Sequence, residues 1–140
     1  MKKISLLIFV LLLTASCGKK EESKFDAFNP EAFAYDLGGS WEVNSTVNLR
    51  GFKQQESEGE FSTSISFSVD LEKPSGEMIN SIFEDTAEKT GSESIPDLQL
   101  EAQFEIDTSF VQGKYQVYFN IKDNFSGEVI KKSVEFELTK

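Results

Sequence analysis

A chain of 140 residues with 39% hydrophobic residues, 13 of them Phe, has material for one compact domain and no room for a second. With no His and one Cys, it excludes disulfides within the chain, His-dependent triads, His-ligated metals and Cys-cluster zinc sites. The 14 Lys plus Arg against 24 Asp plus Glu give a formal charge of −10, which disfavours nucleic acid and anionic membrane surfaces as partners.

The N-terminus reads as an address. Met1-Lys2-Lys3 is a basic start, and Ile4 to Leu13 is an apolar run too short for a spanning helix, which needs about 20 apolar residues. Thr14-Ala15-Ser16 then supplies small residues directly before Cys17. Leu13-Thr14-Ala15-Ser16-Cys17 resembles a bacterial lipobox of the relaxed, Bacteroidota type, with Leu13 one position further from the Cys than usual. That resemblance implies a signal peptide over residues 1–16, acylation of Cys17 and cleavage before it. Each buried CH₂ of the acyl chains contributes roughly 0.8 kcal/mol to membrane attachment. Removing Lys2 and Lys3 takes the formal charge from −10 to −12. Directly after the Cys, Lys19, Lys20, Glu21 and Glu22 resemble the export signal of Bacteroidota lipoproteins. This implies the outer face of the outer membrane, with the periplasmic leaflet as the alternative.

Residues 17–40 are expected to form the lipidated tether and a docking segment. Phe25, Phe28, Phe33 and Tyr35 are too many aromatics for a free tether, so part of the segment should dock on the domain. Asn29-Pro30-Glu31 fits the start of a helical turn, with Asn29 as cap. A fully flexible segment of this length would reach roughly 25–30 Å.

From Trp41 the pattern has period two, the mark of half-buried strands. Trp41, Val43, Ser45, Val47 and Leu49 alternate with polar residues up to Gly51, and Phe61, Thr63, Ile65, Phe67, Val69 and Leu71 alternate up to Pro74-Ser75-Gly76. Lys53 to Gly59 between them predicts a mobile polar loop. Glu77 to Phe83 predicts a short strand, and Glu84 to Ser94 a long acidic loop. Leu98, Leu100, Ala102, Phe104 and Ile106 predict the next strand, Tyr115, Val117, Phe119 and Ile121 another, and Asp123 to Gly127 a hairpin turn into a last strand carrying Val134, Phe136 and Leu138.

Strands joined by turns without helices predict an all-β, antiparallel sandwich of about six to seven strands over residues 41–140. The stretch from Gly113-Lys114-Tyr115 through Asp123-Asn124-Phe125-Ser126-Gly127 to Val134-Glu135-Phe136 resembles the last hairpin of bacterial immunoglobulin-like domains, which implies an immunoglobulin-like sandwich. Gly39-Ser40-Trp41 resembles the opening signature of lipocalin-like barrels, which implies as alternative a carrier of a small apolar ligand. Such a barrel requires eight strands.

The residues offer little chemistry. The acidic groups Glu56-Glu58-Glu60, Glu84-Asp85-Glu88 and Asp123 lack the Asp-x-Asp-x-Asp-Gly pattern of a dedicated Ca²⁺ loop and read as solvated charge. Neither a nucleophile elbow nor a phosphate loop is present, so neither an enzyme, a cofactor nor a metal is expected. Asp85-Thr86-Ala87 resembles the O-glycosylation triplet of exported Bacteroidota proteins, which implies Thr86 as a sugar acceptor in the acidic loop. The expectation is a lipid-anchored envelope module without catalysis, bound to the membrane through its lipid and to an envelope protein or glycan.

Overall fold

The computed structural model describes residues 23–139, which fold into eight strands and no helix. In chain order these are β1 Asp26–Asp36, β2 Ser40–Arg50, β3 Gln55–Ser57, β4 Glu60–Glu72, β5 Met78–Gly91, β6 Asp97–Asp107, β7 Gly113–Asp123 and β8 Val129–Leu138. They make two antiparallel sheets packed face to face. One has the order β1-β2-β6; in the other β3-β4-β7-β8 run in sequence and β5 lies on the second edge of β4. The chain passes between sheets after β2, β5 and β6. The pairing of β1, β2 and β6 opposite β4, β7 and β8 is that of the A-B-E and C-F-G strands of an immunoglobulin-type sandwich, with β5 beside β4. Among the described residues no strand ladder joins the two sheets into a barrel. Trp41 sits in the sandwich core on β2, opposite Ile106 of β6.

The period-two pattern explains the packing. On β2, Val43, Val47 and Leu49 are fully buried; on β4 Ile65, Val69 and Leu71; on β7 Val117, Phe119 and Ile121. Burying each such side chain is worth about 1.5–3 kcal/mol. Tyr115 stacks on Phe136 at 5.5 Å between centroids, and Phe67 lies 5.9 Å from Phe83 and 6.4 Å from Phe119. Tyr115 spends its one polar group on a hydrogen bond to the Val111 carbonyl at 2.6 Å.

Four local expectations are corrected. The segment before Trp41 holds an eleven-residue strand, β1, hydrogen-bonded along β2, so the sandwich begins well before residue 41. No helical turn forms at Asn29-Pro30. The β1 register instead slips between Phe28 and Glu31, with Asn29 at φ 48°, because Pro30 cannot donate to the ladder and a bulge is where a strand tolerates it. Lys53 to Gly59 is not one open loop: β3 turns into β4 through Glu58 and Gly59, both at positive φ, the geometry of a tight two-residue hairpin. The acidic stretch from Glu84 continues as strand to Gly91, paired with β4 from Phe83 through Gly91. Its low hydrophobicity fits an edge strand with one neighbour, where ladder hydrogen bonds need no apolar face.

The chain enters the sandwich at the end where β2 leaves it. Phe25 is buried, and the carbonyls of Ser23 and Lys24 press on Gly51, where a Cβ would sit 2.3 Å from the Lys24 oxygen. Gly51 also has φ +71°, so the close approach and the turn both require glycine.

Candidate binding surfaces

Cys17, Lys19, Lys20, Glu21 and Glu22 lie outside the described residues. Thr86 lies on β5 rather than in a loop. It is exposed, on the outer face of its sheet, with its hydroxyl 3.1 Å from that of Ser66. The acidic clusters are dispersed by the strands that carry them. Asp85 pairs with core-facing Phe67, while Glu84 and Glu88 pair with outward Ser68 and Ser64. Among the described residues no three Asp, Glu, Cys or His side chains gather as a metal would require. Asp123 is fully buried and serves the turn: it accepts from the backbone N–H of Lys53 at 2.7 Å, Phe125 at 2.9 Å and Ser126 at 3.4 Å. It thereby ties the β2–β3 connection to the β7–β8 hairpin. Beside it the Gln54 side chain exchanges two hydrogen bonds with the backbone of Ile95, at 2.7 and 2.8 Å, as a strand residue would. These contacts floor a crevice of about 1000 Å³ at the end where the chain enters.

The outer face of the β5-β4-β7-β8 sheet holds a polar depression of about 590 Å³, with Ser66, Ser68, Thr86, Asn120 and Lys122 on its walls. Its side chains are largely engaged with one another. Asn120 donates to Asp70 at 2.8 Å and to Ser68 at 3.4 Å, and Asn124 to Ser64 and Ser66 at 2.9 Å each. Asp70 also accepts from the Ser81 N–H at 2.8 Å, holding the irregular stretch of β5 where Ser81 has φ 50°. Tyr118 donates to Glu72 at 2.6 Å, which pushes its pKa up, and Lys131 lies 4.7 Å from its ring centroid.

The outer face of the β1-β2-β6 sheet differs in kind. Period two along β1 turns the small residues Ala32 and Ala34 inward and the aromatics Phe33 and Tyr35 outward, 43% and 56% exposed. The bulge restores phase so that Phe28 shares that outer face. Phe33 and Tyr35 meet edge to face at 5.1 Å. Across the sheet, register sets Tyr35, Glu42 and Glu105 in one row and Asp26, Arg50 and Asp97 in another. In the second row Arg50 pairs with Asp26 at 3.0 Å, with its guanidinium 4.8 Å from the Phe28 ring centroid. In the first row the Asn44 amide, and after it the Gln103 amide, hold the Glu42 carboxyl below the ordinary value, so it stays anionic. No ion pair reaches Glu42 or Glu105 among the described residues.

The chain matches no protein-family model and no curated relative. The exposed aromatic row was missed in the sequence because Phe28 and Phe33 are five apart, which breaks period two unless a bulge intervenes. The inverted pattern Ala32-Phe33-Ala34-Tyr35, with alanines on the buried side, was the available signal.

Proposed function

We propose that this chain is a lipid-anchored lipoprotein of the outer membrane, exposed at the cell surface, which works as a non-catalytic binding or structural accessory module. Cys17 is the lipidated residue and Lys19, Lys20, Glu21 and Glu22 the export signal. The observation that supports this reading best is the arrangement of surfaces. The packed inner faces hold the two sheets together, while exposed aromatics and carboxylates without a cation partner among the described residues stand on one outer face, where a partner and not a cavity ligand would meet them. The way the chain enters the fold agrees with an anchor. Five residues lie between Cys17 and Ser23, so the six steps from one to the other span at most about 22 Å, and Ser23 already abuts Gly51. One end of the sandwich would therefore be held near the membrane, with the outer sheet faces presented sideways.

The test is mass spectrometry of the N-terminal peptide from native cells, together with protease treatment of intact cells. Acylated Cys17 with the domain digested away is the expected result. Unmodified Cys17 would remove the anchor from this reading, and an acylated but protected domain would place it on the periplasmic leaflet.

A further inference from the structure

From the outer face of the β1-β2-β6 sheet, we propose that the row formed by Tyr35, Glu42 and Glu105, with Phe33 beside it, receives an arginine side chain from a basic segment of a partner protein. This rests on the reading of the chain as a binding module and names its partner's chemistry.

The sheet carries an internal precedent. At its other end Arg50 of β2 lies over an aromatic ring of β1, Phe28, bonds a carboxylate of β1, Asp26, and stands opposite a carboxylate of β6, Asp97. A guanidinium suits this setting because its flat face takes the ring and its edge takes the carboxylate. Eight residues along β2, the same grouping recurs with the cation missing. Tyr35 of β1 supplies the ring, and Glu42 of β2 and Glu105 of β6 the carboxylates. Glu42 and Glu105 are directly opposite each other across the strands, an arrangement of like charges that destabilises a sheet and that a guanidinium between them would relieve. The amides of Asn44 and Gln103 keep Glu42 ionised.

Charge on the rest of the face points the same way. Its outward carboxylates are Asp26 and Glu31 on β1, Glu42 on β2, and Asp97, Glu101, Glu105 and Asp107 on β6, against the single cation Arg50. A basic partner is therefore drawn to this face at long range and held at the row by the ring and the paired glutamates.

The test uses the full chain in non-ionic detergent and a capped, labelled peptide of alternating Ser and Arg, with a Ser-citrulline peptide of the same length as neutral isostere. Binding is followed by fluorescence anisotropy and by NMR of the aromatic side chains. The Arg peptide is expected to bind, to shift the ring resonances of Phe33 and Tyr35, and to weaken at least tenfold with the Phe33→Ser/Tyr35→Ser pair or with Glu42→Gln/Glu105→Gln. The citrulline peptide is expected not to bind. Arg50→Ala should raise the stoichiometry by opening a second site, seen as new shifts at Phe28. No binding, binding unchanged by both pairs of substitutions, equal binding of the citrulline peptide, or Arg50→Ala without new shifts at Phe28 would each overturn the assignment. Thermal denaturation of each variant verifies that it is folded. All these outcomes leave acylation of Cys17 untouched, so failure here is separable from failure of the anchor.

Discussion

On the outer face of the β5-β4-β7-β8 sheet, Asp70, Asn120, Tyr118, Glu72 and Asn124 hydrogen-bond to neighbours on the same sheet. On the outer face of the β1-β2-β6 sheet, comparable side chains leave Tyr35, Glu42 and Glu105 without a counter-charge. The first face uses its polarity to fix strand geometry, above all at the irregular part of β5. The second holds exposed rings, and its facing carboxylates Glu42 and Glu105 accept hydrogen bonds from Asn44 and Ser40 but meet no cation among the described residues. Groups that satisfy one another cost stability when removed, whereas exposed rings with little burial cost little. The two faces are therefore separable by substitution.

The largest effect is expected on the self-bonded face. Asp70→Ala removes the acceptor of the Ser81 N–H and of the Asn120 amide at once, and leaves Ser81 at positive φ without its support. The expected loss is about 1–3 kcal/mol, read as a fall of several degrees in midpoint temperature by calorimetry. Asn120→Ala, which leaves the Ser81 bond in place, should cost less. If both variants melt as the parent does, the network is decorative and the contrast between the faces fails.

A smaller effect belongs to the tyrosines. Glu72 accepts the Tyr118 hydroxyl and burial surrounds Tyr115, and each raises its tyrosine's pKa above the ordinary value of about 10. Because the folded values are raised, the stability linked to these protons is fully present below the unfolded value and is lost as pH rises through the folded ones. Absorbance titration near 295 nm should show late-ionising tyrosine, and Tyr118→Phe should remove its share of that late change. A parent protein whose tyrosines all ionise at the ordinary pH would contradict the Tyr118–Glu72 contact.

Much of the architecture was legible in the sequence because period two survives wherever a strand buries one face. The alternations of Trp41 to Leu49, Phe61 to Leu71, Leu98 to Ile106 and Tyr115 to Ile121 all became core strands, and the Asp123 to Gly127 turn formed as expected. The strands that escaped are the edge ones. β5 is ordered by its ladder with β4 while exposing most of its side chains, so an acidic run looked like a loop. β1 hides its period behind the bulge at Asn29-Pro30, and its small inward residues invert the usual contrast between buried and exposed. The candidate row on the β1-β2-β6 face was illegible for a further reason. Tyr35, Glu42 and Glu105 are adjacent only through pairing register, which no local pattern encodes.

The smallest expected effect discriminates most sharply between the faces. Phe33→Ser with Tyr35→Ser removes two exposed rings that meet edge to face at 5.1 Å. Surface substitutions of this kind usually change stability within about 0.5 kcal/mol, and serine keeps a residue that a strand accepts. The midpoint temperature should therefore stay within one or two degrees of the parent, far above that of Asp70→Ala. A fall as large as that of Asp70→Ala would mean that the rings cover part of the core and are structural. An unchanged midpoint would mean that two large apolar side chains are kept in water at no gain to the fold. Folding alone would then not account for them, which is the outcome that the proposed arginine-receiving row requires.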